Sequence, residues 1–212
     1  MNKRTKETVK IFDDAAKRYQ DKYMDVSAYS EHLSLFCDAL PDGRPSVLDV
    51  ACGPGNIAKY IMTNVPACRL TASDLSSEML RMTQMNVPSA AIMTLDAKAI
   101  RSIQKKYDGL VASFIFPYLS TTEVIDFIQD ASNILNEGGV MYISTMLGSD
   151  IDSGFDEASD GVRLYMNYHQ GNDIEKTLKQ CGFEILSSAL QPYDYALDNK
   201  GTDVIIIAQL KA

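Results

Sequence analysis

The chain has 212 residues, and 46% of them are hydrophobic, which is enough for one globular domain with a full core. The net charge of −8 argues against nucleic acid or an anionic membrane surface as a partner, because both are bound through clustered Lys and Arg. No membrane span or secretory signal is visible, so we expect a cytoplasmic protein. The cysteines and histidines lack metal-site spacing, so we expect free thiols and no metal.

The N-terminal part of the chain is predicted to be helical. Side chains that are apolar or aromatic recur at helical spacing at Phe12, Ala15, Ala16, Tyr19 and Tyr23. A second helical pattern, at about 27–40, stops at a segment rich in Pro and charged residues. Roughly forty residues of helix therefore precede the first strand.

Strands and helices alternate from residue 46 onward. Apolar strands are predicted at 46–50, 69–73, 90–95, 107–114 and 140–145, and an irregular stretch follows the last of them. Two more strands, 183–190 and 203–210, are separated by about a dozen residues, which leaves no room for a crossover helix. The pattern predicts an α/β fold: a doubly wound, mostly parallel seven-stranded sheet with a C-terminal antiparallel β-hairpin.

The most informative segment is the turn after the first strand. Gly53 and Gly55 lack a Cβ, so a ligand can approach the backbone there. Two interpretations stay open, because Gly53-x-Gly55-x-x-Ala58 matches a dinucleotide fingerprint, whereas Asp49-x-Ala51-x-Gly53-x-Gly55 resembles the first motif of the Rossmann-like S-adenosylmethionine-dependent methyltransferases. The family usually has Gly where Ala51 stands. The Asp49 carboxylate favours the second interpretation, since it suits an ammonium or sulfonium and not a pyrophosphate.

The resemblance, which covers about residues 47–211, implies S-adenosylmethionine as the cofactor. Asp74 would accept hydrogen bonds from the ribose hydroxyls, although nicotinamide enzymes place an acid similarly. Asp96 would receive the adenine amine, and the backbone of Ala97 would face the ring; a loop-end cap is the alternative for Asp96. The other implied contacts of the cofactor are Asp49, Ala51, Gly53, Gly55, Leu75, Met79 and Ser113.

The resemblance also implies that residues 1–45 form an N-terminal helical lid over a core of residues 46–212, within a single domain. Tyr19 and Tyr23 would then close over the sulfonium, since aromatic faces attract cations; packing inside the lid is the alternative. Both tyrosines are one helical turn apart, so either interpretation places them on the same face.

Two residues are candidates for catalysis on the acceptor side. Tyr118, after the fourth strand, would present its hydroxyl to the acceptor, or would be a half-buried aromatic residue. His169 lies in a segment, 165–170, that resembles an acceptor-facing stretch of small-molecule methyltransferases, and imidazole suits a general base. A structural histidine is the alternative. The acidic segment 147–161 should contribute to the acceptor site and favours a neutral or cationic acceptor.

The sequence therefore predicts methyl transfer from S-adenosylmethionine to a small-molecule acceptor. An NAD(P)-dependent oxidoreductase is one alternative, and the C-terminal hairpin and Asp96 count against it. A non-catalytic protein that binds S-adenosylmethionine is the other, because a fold by itself does not decide activity. The acceptor and the oligomeric state are not determined by the sequence.

Overall fold

A computed structural model describes residues 1–157, 163–196 and 199–211. The helices of these residues are α1 (Lys3–Tyr23), α2 (Ser30–Asp38), α3 (Asn56–Asn64), α4 (Ser77–Asn86), α5 (Thr121–Ile134) and α6 (Gly171–Gln180). The strands are β1 (Ser46–Val50), β2 (Arg69–Asp74), β3 (Ala91–Thr94), β4 (Tyr107–Ser113), β5 (Leu135–Met146), β6 (Gly154–Glu157), β7 (Arg163–Met166), β8 (Phe183–Ala196) and β9 (Asn199–Leu210).

Seven strands form one sheet in the order β3-β2-β1-β4-β5-β9-β8. The first five are parallel, and β9 pairs antiparallel with both β5 and β8. This confirms the predicted doubly wound sheet and its C-terminal hairpin. The order of the strands reverses between β1 and β4, and at such a reversal a crevice opens at the carboxyl ends of the strands.

A small antiparallel pair, β6 with β7, lies outside the main sheet. The sequence predicted irregular structure for this stretch. The pair is held by cross-strand contacts such as Phe155 with Tyr165, whose ring centroids lie 5.4 Å apart at a steep angle. Such contacts join residues that are distant in sequence, so local patterning does not report them.

The two faces of the sheet are covered by different helices. On one face, α5 and α6 pack against Leu48 and Val50, while on the other α2, α3 and α4 pack around Val47. This alternation follows from the two-residue period of a strand. Gly109 of β4 is required here, because a Cβ at this position would lie 2.7 Å from Leu40 Cδ2.

The two N-terminal helices occupy different places. Leu33 and Phe36 of α2 are fully buried in the core against the sheet, so α2 belongs to one of the covering layers. In contrast, α1 crosses the carboxyl ends of the strands and buries only Ala16 completely. Of the region predicted as a lid, only α1 therefore lies over the mouth of the crevice.

The described residues give three further findings. None of their helices is both long and apolar enough to cross a membrane. They also contain no group of three or more His, Cys, Asp and Glu side chains arranged to hold a metal ion. The four cysteines are free thiols, and three of them are buried.

Candidate functional site

A cavity of about 200 Å³ lies at the carboxyl ends of β1 to β4, beneath α1. Its floor is made by the segments that follow four neighbouring strands, and its roof by one side of α1. The floor residues include Ala51, Gly53, Asp74, Leu75, Leu95, Asp96, Ala97, Ser113, Phe114 and Ile115. The cavity thus occupies the point where the strand order reverses, the usual position of ligands in open α/β sheets.

The backbone is strained on two sides of this cavity. Ala51, after β1, has φ +56°, and Phe114, after β4, has φ +53°. In the part of the chain that the structure describes, these are the non-glycine residues with positive φ, and both line the cavity. A left-handed conformation costs such residues about 1–2 kcal/mol. Strain of this kind is typical of ligand sites, where the surrounding fold imposes the conformation.

The two glycines of the loop after β1 have different surroundings. A Cβ on Gly53 would lie 3.7 Å from Tyr19 Cε1, so this glycine faces α1 across the cavity. A Cβ on Gly55 would lie 3.1 Å from both Cγ2 and Oγ1 of Thr83 in α4. Gly55 is not among the residues that line the cavity. Its ligand contact stays a prediction, and its surroundings give it a packing role between α3 and α4.

Asp74, at the end of β2, forms part of the cavity wall and binds the neighbouring backbone. Its Oδ2 accepts a hydrogen bond from the Gly53 N–H at 3.0 Å, and its Oδ1 accepts one from the Ser76 N–H at 2.8 Å. Burial raises the pKa of this carboxyl, and the backbone N–H groups partly offset the effect. Each oxygen of a carboxylate can accept two hydrogen bonds, so both keep capacity for a ligand hydroxyl.

Asp49 lies one layer below, on β1, and is not part of the lining. It is 1% exposed, and its Oδ2 has no hydrogen-bond partner among the described residues. Burial, together with the nearby Asp74 carboxylate, raises the pKa of this carboxyl to about 8. An unpartnered acid in a buried position is costly, and a cationic group of a ligand would relieve that cost.

Asp96 and its neighbours form the opposite side of the floor. Asp96 lines the cavity, and its Oδ1 accepts a hydrogen bond from the Lys98 N–H at 3.0 Å. The carboxylate therefore caps a short helical turn in addition to facing the cavity. The predicted apolar residues Leu75 and Met79 line the same region, together with Leu95. They give the cavity flat apolar walls beside a carboxylate.

Aromatic side chains of α1 meet Tyr118 at the centre of the cavity. The ring centroid of Phe12 lies 5.4 Å from that of Tyr118 and 5.8 Å from that of Tyr19. Tyr19 in turn contacts Tyr23, with centroids 4.5 Å apart, but Tyr23 does not line the cavity. Burial raises the pKa of Tyr118, with Tyr19 and Tyr23 adding to it, so its hydroxyl keeps its proton and can donate a hydrogen bond.

His169 lies behind the cavity and does not line it. The residue is 5% exposed, and its Nε2 is 3.0 Å from the Phe116 oxygen and 3.1 Å from the Leu119 oxygen. Both partners are backbone carbonyls, so Nε2 must carry the proton and donate. The ring thus anchors the turn that carries Tyr118. The general-base role of His169 stays a prediction, and this geometry leaves only Nδ1 for it.

Several lining residues were missed by the sequence analysis. They are Asn2, Arg4, Thr5, Thr8 and Val9 of the N-terminal segment, with Lys98, Phe114 and Glu123. Tyr165 and Asn167 of the predicted acceptor-facing segment 165–170 also line the cavity, as does Phe12 of the predicted helical stripe. Arg4 and Thr8 precede Phe12 at intervals of four residues, so extending the helical stripe toward residue 1 would have found them. The acidic segment predicted for the acceptor site contributes none of Asp150, Asp152 and Asp156 to the lining, and its Asp160 and Gly161 lie outside the described residues.

Comparisons with known proteins agree with this architecture. Residues 47–139 match the model of a methyltransferase domain. The chain is 29% identical over 126 residues to malonyl-acyl-carrier-protein O-methyltransferase of Enterobacter lignolyticus, covering 56% of this chain and 49% of that protein. It is 33% identical over 120 residues to ribosomal RNA small subunit methyltransferase C of Shewanella piezotolerans, covering 53% and 34%. The structure of an S-adenosylmethionine-dependent methyltransferase from Clostridium acetobutylicum superposes with TM-score 0.68 at 19% identity, covering 95% of this chain and all of that one (100%).

The fold and the cavity define a Rossmann-like α/β protein with its ligand site at the carboxyl edge of a parallel sheet. Residues 47–139 therefore resemble a methyltransferase domain, and the fold of the chain is that of solved S-adenosylmethionine-dependent methyltransferases. It spans 49% and 34% of the length of the two curated relatives above, so the substrates in their names remain properties of those proteins.

Proposed function

We propose that this chain transfers a methyl group from S-adenosylmethionine to a small-molecule acceptor. The observation that carries the proposal is a series of acids on neighbouring parallel strands around one cavity. Asp74 and Asp96 line it, and Asp49 lies beneath it with an unpartnered oxygen. The polar groups of this cofactor opposite the three acids are an ammonium, two hydroxyls and an amine, all hydrogen-bond donors. A dinucleotide pyrophosphate, in contrast, carries no hydrogen-bond donor for the unpartnered Asp49 oxygen.

The proposed contacts assign one part of the cofactor to each acid. Asp49 favours the ammonium, Asp74 accepts from the ribose hydroxyls, and Asp96 accepts from the adenine amine. Leu75 and Met79 hold the ring. Ala51, Gly53, Ala97 and Ser113 provide close backbone approach. Tyr19 covers the sulfonium, and Tyr23 packs against Tyr19 from outside the cavity. The bound cofactor supplies the electrophilic methyl group, and the chain supplies position and exclusion of water.

On the acceptor side, we assign Tyr118 a positioning role. Its hydroxyl keeps its proton and therefore serves as a donor, not as a base. His169 supports this assignment indirectly, because its Nε2–H holds the Phe116 and Leu119 carbonyls on either side of Tyr118. A base is needed only if the acceptor must lose a proton before it attacks.

We further propose that α1 acts as the lid over the core. With α1 in place the cavity measures about 200 Å³, below the roughly 300–1,000 Å³ of most small-molecule sites, so entry of cofactor and acceptor requires α1 to move.

The net charge of −8 supports a small molecule in preference to RNA as the acceptor. The four free thiols support the expected cytoplasmic location.

Calorimetry with S-adenosylhomocysteine and with NAD(P) tests the proposal. We expect binding of S-adenosylhomocysteine and none of NAD(P). Binding of NAD(P) alone would favour the oxidoreductase alternative. Transfer of labelled methyl from S-adenosylmethionine to a panel of small acceptors then separates an enzyme from a binding protein: cofactor binding without transfer to any acceptor favours the latter.

A further inference from the structure

A cationic side chain without a carboxylate partner lines the cavity. Arg4, in the first turn of α1, places its guanidinium carbon 3.9 Å from the centroid of the Tyr165 ring. No ion pair joins Arg4 to an acid anywhere in the described ranges. Its neighbour Lys3 points elsewhere, with its side chain 90% exposed and 3.8 Å from Glu7.

The other charged groups of the lining have defined partners. Lys98 Nζ lies 3.4 Å from Glu123 Oε1 and donates to Thr5 Oγ1 at 3.1 Å. Asp96 caps its own turn, and Asp74 accepts from two backbone N–H groups. Arg4 is solvent-exposed, and within the described lining it is the cation that has no carboxylate partner, so its guanidinium is available to an anionic ligand.

The cofactor as placed above offers Arg4 no anion. Its carboxylate would lie at the loop after β1, where Tyr19 faces Gly53. Arg4 precedes Tyr19 by fifteen residues, or about 22 Å along α1. The cofactor end beside Asp96 is adenine, which is uncharged. An anion at Arg4 must therefore belong to a second molecule in the cavity.

Resting on the proposed function, we propose that the methyl acceptor is an elongated organic anion, whose carboxylate or phosphate binds the Arg4 guanidinium. Arginine suits such groups because its planar fork pairs with two oxygens at once. The atom that is methylated would lie toward Tyr118, which contacts Phe12. Phe12 follows Arg4 by eight residues, so their backbone positions lie about 12 Å apart along α1, and the acceptor must be long enough to reach between the two side chains.

This acceptor differs from the neutral or cationic one that the acidic segment 147–161 favoured. Net charge describes the distant field of the protein, whereas binding in the cavity depends on the charges that line it. The acids of segment 147–161 that the structure describes do not line the cavity.

The experiment compares matched probes on protein loaded with S-adenosylhomocysteine and on unliganded protein. The probes are 4-hydroxycinnamate, 4-hydroxycinnamide and 4-hydroxybenzyl phosphate, and calorimetry measures their affinities. We expect an acid probe to bind about tenfold or more tightly than the amide, as one charged hydrogen-bonded pair allows. Comparing the affinities of 4-hydroxycinnamate and 4-hydroxybenzyl phosphate shows whether the site prefers a carboxylate or a phosphate.

Three variants then assign that preference. Arg4→Ala should abolish the preference for the acid probe over the amide, and Arg4→Lys should keep part of this preference. The matched control Lys3→Ala removes the same charge one residue away and should retain the full preference. S-adenosylhomocysteine affinity and melting temperature should stay unchanged in all three. If Arg4→Ala alone loses cofactor binding or stability, Arg4 serves to hold α1 against Tyr165, and the proposal is overturned.

Three other results also overturn it: equal affinity for acid and amide, an equal loss in Lys3→Ala, or no acid binding at millimolar concentration. Failure of the proposed function looks different, because wild-type protein would then not bind S-adenosylhomocysteine at all. The acid preference of the unliganded protein is measured independently of that result.

Discussion

The Asp74 carboxylate accepts a hydrogen bond from the Gly53 N–H at 3.0 Å and thereby joins the end of β2 to the loop after β1. The same carboxylate accepts a second hydrogen bond, from the Ser76 N–H at the start of α4. One side chain thus fixes two segments of the cavity floor and still presents lone pairs to a ligand. Substitutions there must separate the structural from the binding role.

Asp74→Asn should make that separation. The amide keeps one acceptor oxygen for the Gly53 N–H but turns its NH2 toward the Ser76 N–H and loses the charge. We expect a modest loss of stability and a fall in S-adenosylhomocysteine affinity of roughly ten- to hundredfold. Calorimetry measures the affinity, and thermal melting checks that the fold persists. Asp126→Asn, on an exposed position of α5, is the matched control and should change neither value. Unchanged affinity in Asp74→Asn would remove Asp74 from the ribose site.

The two loop glycines should respond differently to alanine. Gly55→Ala places a Cβ against Thr83 at φ +85°, so it should cost stability, about 1–3 kcal/mol, with cofactor affinity retained. Gly53→Ala makes an ordinary contact with Tyr19 but faces the cavity, so it should lose affinity in addition to the strain at φ +54°. Chemical denaturation and calorimetry measure the two effects. A loss of affinity confined to Gly55→Ala would reverse the assignment.

Stability of the ligand-free protein should depend on pH through Asp49. Its pKa is raised to about 8 in the folded chain, whereas an unfolded aspartate ionises near pH 4. The folded state therefore binds more protons between these values, and stability should fall as pH rises from about 4 to 8. Asp49→Asn cannot ionise, so its melting temperature should decline less over that window and exceed the wild-type value at pH 8. Asp42→Asn is the control, and parallel pH profiles for Asp49→Asn and wild type would contradict the prediction.

His169→Ala should act on stability through the turn that carries Tyr118. Removing the Nε2–H leaves the buried Leu119 carbonyl without its donor, whereas the Phe116 carbonyl keeps the Leu119 N–H, so the cost should be about 1–3 kcal/mol. Cofactor affinity should be preserved, since the ring does not line the cavity. Denaturation measures the loss. If stability stays at the wild-type value while turnover falls, His169 instead acts in catalysis.

Much of the fold could be predicted because its signals are local. The alternation of apolar strands with helices, the capping box at Ser120 and the short connection before β9 each depend on neighbouring residues. The same holds for the carboxylates at strand ends. Parallel strands deliver their carboxyl ends to one edge of the sheet, so Asp74 and Asp96 had to come close together once the strand order was known.

Only the tertiary structure decided which side of a residue faces the cavity. The orientation of the His169 ring depends on two carbonyls some fifty residues earlier, and the burial of α2 depends on the bare backbone at Gly109. Arg4 enters the lining because the end of α1 comes to lie beside β7. Contacts between segments that are distant in sequence produce no periodic pattern of residues, so they cannot be predicted from the sequence alone. The chain's pattern therefore determined the sheet and the position of its ligand edge, while packing determined the surroundings of each side chain there.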